Sequence, residues 1–446
     1  MLVVLRARWR AVARSEFQRN TLWFTGLTGA QRAAAMVQTI LIARALGITE
    51  YGVYGLLFGT IGLVASTAGL QLGLAGTVFV ARYKEREPVK AAAVISVVSR
   101  FGWGVAIVFI VIAVPISQTI STYLLGSPDY AIAVVLACVF VGASVVSGIQ
   151  DGVVQGLELF KPLAILSVLS ALLVLSVILP AAHWLGLSGV LIVILLGLLL
   201  KYFGLQCYVA RARRTFGLPS RGAGVSLHSL VASFALPSML ISLGLGVVMW
   251  FGLFMLSRQS NGFDGVAIVN TGLQWRGPVL LLLSSIGAVA LPLFSRMHAA
   301  GNQRETNDFR RKLTYFSLII TTAIVLALVV LSDFILALYG TEFSSGKLAF
   351  DIISLSMIPL AVAQMYMQQL VGAARMWHTL WLNLPYLLTT LIGICILVPD
   401  LHELGFACAI LAGALVFAVH VLISSYIEGQ RDAEARARTK PVGIRE

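Results

Sequence analysis

Twelve stretches of about 20 or more mostly apolar residues follow one another along this chain, each long enough to cross a hydrocarbon layer roughly 30 Å thick. They run approximately over 20–43, 51–81, 91–114, 131–157, 162–182, 186–209, 227–256, 265–294, 313–338, 348–371, 377–398 and 403–426. This pattern predicts an all-α polytopic membrane protein of twelve transmembrane helices. With 59% hydrophobic and 11% charged residues among 446, a water-soluble fold is excluded.

Lysines and arginines in the connections set the orientation. With the N-terminus placed in the cytoplasm, 26 of the 32 basic residues fall in inside segments and only Arg44, Arg258 and Lys347 fall outside. Both termini are therefore expected in the cytoplasm. The net charge of +13 reads as a topology signal and not as a nucleic-acid footprint. Cys138, Cys207, Cys395 and Cys408 all fall inside predicted spans at no metal-ligand spacing, so they read as packing residues. No cofactor is expected.

The chain also repeats itself at an offset of 214 residues. Arg44 and Glu50 map to Arg258 and Asp264, Gly126 and Ser127 to Gly340 and Thr341, Gln150 and Gln155 to Gln364 and Gln369, and Lys161 to Arg375. Each copy holds six spans, an even number, so the two enter the membrane with the same polarity, as in parallel-repeat transporters. The predicted organisation is a basic cytoplasmic arm (1–19), an N-lobe of six spans (20–209), a cytoplasmic linker (210–226), a C-lobe of six spans (227–426) and a cytoplasmic tail (427–446). Two such bundles predict alternating access around a central site. There is no GxxxxGK[ST] loop, HExxH pair or GxSxG elbow, and no large extramembrane loop, so pump, hydrolase and glycosyltransferase readings lose support and a non-enzyme is expected.

Within the spans the basic and polar residues are few. Arg32 and Arg276 are predicted near mid-bilayer, one in each half, where an arginine costs roughly 2.5–3.5 kcal/mol on insertion scales, and the expected use is to hold an anion. Thr21, Thr25, Thr28, Arg32, Ala35 and Thr39 recur at four- and three-residue steps on one helical stripe. A hydroxyl stripe around an arginine suits a wet cavity for sugar hydroxyls and phosphate. The alternative is a packed helix whose threonines bond their own backbone. Gln274 is grouped with Arg276 among the candidate substrate contacts. A second stripe carries Ser144, Ser147, Asp151, Gln155 and Glu158. Asp151 and Arg100 lie about 9 and 13 Å from the cytoplasmic end at helical rise, depths that suit an ion pair. That pair is either a structural bridge or a gate and coupling site for H+ or Na+, with Gln155 beside it. Glu50 and Asp264 read as helix-start acids, and the second-span glycines, including Gly69 and Gly73, as close helix packing. Pro237, Pro278, Pro359 and Pro385 lie well inside second-half spans and predict a bent C-lobe.

Ile42-Ala43-Arg44-Ala45-Leu46-Gly47-Ile48-Thr49-Glu50-Tyr51-Gly52-Val53-Tyr54 is similar to the signature of bacterial polysaccharide flippases, and Tyr339-Gly340-Thr341-Glu342-Phe343 resembles a second element of theirs. These flippases belong to the multidrug, oligosaccharidyl-lipid and polysaccharide exporter superfamily, which has the MATE-like fold. The resemblance implies an inner-membrane flippase for a polyprenyl-pyrophosphate-linked glycan of the O-antigen or exopolysaccharide kind. Its partners would be that glycan, membrane lipids and polysaccharide-assembly proteins. A cation-coupled multidrug exporter and a lipid II flippase of the same superfamily are the alternatives.

Overall fold

In the computed structural model, which describes residues 29–69, 72–85, 87–215, 217, 236–299, 303–372 and 376–439, the apolar stretches are helical and no strand occurs among those residues. The described helices are α1 (29–46), α2 (Ile48–Ala68), α3 (Leu72–Tyr83), α4 (Pro88–Ala113), α5 (Ser117–Leu125), α6 (Ala131–Gly156), α7 (Phe160–Thr215), α8 (Leu236–Ser257), α9 (Gly262–Ala299), α10 (Gln303–Val330), α11 (Ser332–Tyr339), α12 (Lys347–Leu355), α13 (Met357–Gly372) and α14 (Met376–Thr439).

Two of these are too long to cross once. α7 spans 56 residues, yet its backbone leaves helical geometry at Gly186 (φ 56°). Ser170 Oγ donates to the Gly197 carbonyl at 2.7 Å, although 27 residues of continuous helix would part them by about 40 Å. α7 is therefore a hairpin of two arms. α14 turns back in the same way at His402 (φ 50°), which sets Gly413 against Thr390 and Tyr386. Among the described residues seven helices are long and apolar enough to cross a membrane, and with the hairpin arms counted separately the architecture is compatible with twelve crossings.

The surface is inverted relative to that of a water-soluble protein. Val111, Ile319, Val330 and Trp381 are between 64% and 78% exposed, while Ser121, Thr271, Ser317, Ser332 and Thr390 are fully buried. Lipid is the solvent such a chain fits: apolar side chains face outward at no cost, and these polar ones turn into the bundle. The protein is a multi-pass membrane protein.

The described helices form two compact units, one up to Gly246 and one from Val247, so the division falls inside α8. Most of the expected linker 210–226 lies outside the described residues. The 214-residue repeat reappears element by element. α5 corresponds to α11, each ending at a glycine of positive φ (Gly126 at 77°, Gly340 at 147°) followed by a 3-10 turn. α5 occupies what the sequence shows only as a connection, whereas α11 takes the end of the predicted span 313–338.

The copies differ where they bend. Unit 1 interrupts its second span between α2 and α3 and keeps its fourth, α6, whole; unit 2 keeps its second span, α9, whole and divides its fourth into α12 and α13. Pro359 explains the division, because a proline there has no N–H for the Leu355 carbonyl, and the equivalent residue of unit 1 is Val145. Pro278 and Pro385, by contrast, sit within continuous helix.

Unit 1 is packed through glycine. A Cβ on Gly152 would lie 1.9 Å from the Gly73 carbonyl oxygen, and Thr77 Oγ1 donates to the Gly152 carbonyl at 3.0 Å across the same contact. α3 and α6 thus approach to backbone distance, as small residues allow in membranes. α4 joins them through Ala91, Ile95, Val98, Gly102 and Ala106, a face at three- and four-residue spacing. Glu50 stands in the first turn of α2 and accepts a 2.7 Å hydrogen bond from the Tyr130 hydroxyl, which ties that helix start to the end of the 3-10 turn.

Candidate functional site

α1 carries Arg32 on a helix whose packing changes along its length. Its first half, from Gly29 to Ala35, is largely exposed within the structure, and its second half turns Thr39, Ile42 and Ala43 inward. Arg32 is exposed. Thr39, seven residues on and on the same stripe, is 5% exposed and donates its hydroxyl proton to the Met36 carbonyl at 2.8 Å. The open hydroxyl stripe expected through Thr39 is corrected accordingly. Of the stripe, α1 carries Arg32, Ala35 and Thr39, and among these only Thr39 is covered. Thr25 and Thr28 lie outside the described residues.

The fourth-span stripe resolves into three fates. Ser144, Asp151 and Gln155 line a cavity of about 360 Å³ with Ser66 and Thr77. Ser147 turns to the buried side, and Glu158 sits past the helix end, where its Oε1 meets Lys84 Nζ at 2.8 Å.

Asp151 does not pair with Arg100. Its Oδ2 meets Lys201 Nζ at 2.7 Å, with the aspartate side chain 26% and the lysine side chain 13% exposed. Arg100 is exposed and donates Nε to the Ser96 carbonyl at 3.2 Å. The expected pairing rests on position along the helices, and rotation about the helix axis separates the two residues. Arg100 stands two residues from Val98 and from Gly102, the face of α4 that packs inward, and is therefore turned about 200° from it. Lys201, counted with the inside basic residues, falls within the limits of the predicted span 186–209. An ionisable residue inside a span should be presumed to have a partner, and that signal would have found it.

The second oxygen of Asp151, Oδ1, is buried with no hydrogen-bond partner among the described residues. Native proteins rarely leave a buried carboxylate oxygen without a donor, so such an atom facing a polar cavity is a place for a cation, a proton or water. The repeat sharpens this. The equivalents of Asp151 and Lys201 in unit 2 are Met365 and the apolar run Leu415 to Phe417, so the helix packing itself does not need the pair.

Unit 2 holds the other arginine. Arg276 of α9 is 8% exposed. Its Nη2 donates to the Tyr386 hydroxyl of α14 at 3.5 Å, and its Nε is buried without a partner. Among the described residues no carboxylate lies within 4 Å of it. A guanidinium cannot discard its proton, and among the described residues the side-chain partner found for this charge is the Tyr386 phenol. Neither arginine has a basic counterpart in the repeat, since Arg32 maps to Gly246 and Arg276 to Gly62. Gln274 is partly buried but, two residues away, points about 200° round the helix from Arg276, so the two do not line one face. Next to Arg276, Trp275 Nε1 donates to the Tyr339 hydroxyl at 3.2 Å and anchors α9 to the end of α11.

Tyr386 was not visible as a site residue in the sequence. It lies 110 positions from Arg276, and only the α14 hairpin brings it there.

Residues 17–298 match the family model described as polysaccharide biosynthesis protein. A segment of 150 residues is 25% identical to the EPS I polysaccharide export inner membrane protein EpsE of Ralstonia solanacearum; it covers 33% of this chain and 34% of that protein, so the match spans about a third of that relative. Among solved structures, the fold is similar to the inward-facing conformation of a multidrug resistance MATE family transporter of the MOP superfamily, with a TM-score of 0.79 and 15% identity over 92% of this chain and 96% of that one. It is also similar to a MOP superfamily transporter from Pyrococcus furiosus described by the reverse polarity of its binding pocket, with a TM-score of 0.65 and 14% identity over 92% and 94% of the two chains. At these identities the structural likeness is one of fold.

Proposed function

The chain belongs to the polysaccharide biosynthesis protein family, and from that premise we propose that it is a flippase carrying a polyprenyl-pyrophosphate-linked oligosaccharide from the cytoplasmic to the outer leaflet of the inner membrane. Support comes above all from Arg276, a buried guanidinium held by a phenol, with no carboxylate beside it among the described residues. A pyrophosphate is the kind of ligand that supplies the missing charge and accepts several of its donors at once. Arg32 is the corresponding contact of unit 1, where its exposure leaves it open to ligand.

Binding a doubly charged head to such residues also uses the membrane potential. Two negative charges leaving a cell with a negative interior gain about 4.6 kcal/mol per 100 mV, at roughly 2.3 per charge. Asp151 and Lys201 replace Asp151 and Arg100 as the coupling pair. A proton or Na+ taken at Asp151 releases Lys201 and loosens α6 from the second arm of α7, and return of the lysine expels the cation. Both termini lie in the cytoplasm in this reading.

The test is to replace Arg276 by Ala in cells that depend on this protein for a surface glycan. Loss of surface glycan, with the lipid-linked precursor retained on the inner leaflet and the protein still in the membrane, is the expected outcome. Normal export by an Arg32→Ala/Arg276→Ala double variant would overturn the reading.

A further inference from the structure

Unit 2 contains a basic cavity that the flippase reading does not use. It measures about 540 Å³ and lies between α10, α13 and the final arm of α14. Arg310 is fixed there by buried neutral groups. Its Nη1 donates to Gln369 Oε1 at 3.0 Å, and its guanidinium carbon stands 5.0 Å from the ring centre of Tyr366. Gln369 is 8% and Tyr366 2% exposed, and Gln369 Nε2 donates in turn to Asn307 Oδ1 at 3.4 Å. A topology-setting arginine needs only water. This one has a buried amide and a buried aromatic face built around it, which orients the guanidinium. Arg311 adjoins it, its Nη2 donating to the Tyr315 hydroxyl at 3.5 Å, and Asp308 is the acid at the rim.

The cavity is polar at one end only. Beyond the arginines its walls are Leu318, Val362, Val421 and Leu422. The surface outside is that of a lipid-facing helix, with Phe316, Ile319 and Tyr426 between 53% and 69% exposed. Guanidinium groups at the basic end of the spans, followed by an apolar wall toward the membrane interior, match a phosphate joined to a hydrocarbon tail better than a free phosphate.

The internal repeat provides a control. The cavity of about 230 Å³ between the equivalent helices of unit 1 is lined by other faces of α4 and α6, with Trp103, Gln150, Tyr202 and Arg213, so the control lies only in the repeat-equivalent positions. There the equivalents of Arg310, Arg311 and Tyr366 are Ser96, Val97 and Gly152. The unit 1 helices thus pack without an arginine pair or a tyrosine at those positions, so the fold does not require them in unit 2.

We propose that the Arg310–Arg311 cavity is a peripheral site for the phosphate group of a membrane lipid, opening sideways to the bilayer and separate from Arg276. Two lipids carry that chemistry: an anionic phospholipid, and the polyprenyl-pyrophosphate carrier before it enters the transport path. The experiment is lipid binding to the purified full-length protein by native mass spectrometry and thermal-shift titration. The probes are phosphatidylglycerol, phosphatidylcholine, farnesyl pyrophosphate and inorganic phosphate.

The wild type is expected to retain one phosphatidylglycerol or one farnesyl pyrophosphate at a concentration where phosphatidylcholine and inorganic phosphate do not bind. Arg311→Gln, an exposed change that spares the packing, should weaken it about tenfold, and Arg310→Gln/Arg311→Gln should abolish it. Preference for phosphatidylglycerol identifies a phospholipid site, and preference for farnesyl pyrophosphate a carrier site. Equal binding by the wild type and the double variant overturns the proposal. So does inorganic phosphate binding as tightly as either lipid. If the glutamine double variant does not fold, Arg310→Lys/Arg311→Lys keeps the charge but removes the planar fork, and undiminished binding by it refutes the role given to the oriented guanidinium. No step of the assay depends on transport, so its outcome is independent of whether the flippase reading holds.

Discussion

Replacing Lys201 by Met removes the one described partner of Asp151, whose other oxygen, Oδ1, already lacks one. Stripping one member from a fully buried ion pair costs about 3–5 kcal/mol. Here the side chains are 13% and 26% exposed and border a cavity of about 360 Å³, so solvent relieves part of that and about 2–3 kcal/mol is expected. For a unit of this size, at roughly 2–4 °C per kcal/mol, the midpoint of thermal unfolding should fall by about 5–10 °C. Asp151→Leu combined with Lys201→Met should restore most of it, because two apolar side chains leave no charge behind. Unit 2 already packs that way, with Met365 and the Leu415 to Phe417 run at the equivalent places. The assay is a double-mutant cycle on detergent-purified protein, read by thermal unfolding, beside glycan export measured in cells. A stable double variant that no longer exports assigns the pair to coupling. A stable double variant that exports normally makes it a helix staple and ends the coupling argument. An unchanged midpoint for Lys201→Met alone would show that Asp151 is not held by Lys201 at all.

Gly152→Ala pushes a methyl group to within 1.9 Å of the Gly73 carbonyl oxygen and should destabilise unit 1 by about 1–3 kcal/mol, seen as a lower unfolding midpoint; Gly62→Ala, whose Cβ meets nothing within 4 Å, should be close to neutral. Tyr386→Phe removes the described partner of Arg276 over a long 3.5 Å hydrogen bond and should change stability by less than about 1 kcal/mol while reducing export, whereas Arg276→Lys should retain only a fraction of it. Pro359→Ala restores the N–H that can bond the Leu355 carbonyl, so amide exchange at Ser356 and Met357 should slow as α12 and α13 join. Tyr130→Phe frees Glu50 from its 2.7 Å hydrogen bond and should cost about 1 kcal/mol in unit 1 without altering export, which separates the helix-start acids from the transport residues.

Hydrophobic runs long enough to cross a bilayer must be helical, because lipid offers the backbone no hydrogen bonds, and so the all-α membrane class and the approximate places of the helices were legible from the chain alone. The 214-residue offset likewise marked equivalent elements before any were seen, down to Gly126 and Gly340 at the ends of α5 and α11. Position along each helix is also legible, since helical rise converts residue number to distance. It could not give rotation between neighbouring helices. Arg100 and Lys201 are both cations near the depth of Asp151, and the choice between them rests on the Val98 and Gly102 face of α4, which turns Arg100 away, and on the Gly186 turn, which folds Lys201 back beside α6. The same limit hid Tyr386 from Arg276 and Tyr366 from Arg310, contacts of 110 and 56 residues in separation that follow from how a bundle closes and not from any local pattern. Composition and periodicity settle what each helix is, whereas which side chains share a cavity is settled only when several helices compete to bury their small-residue faces.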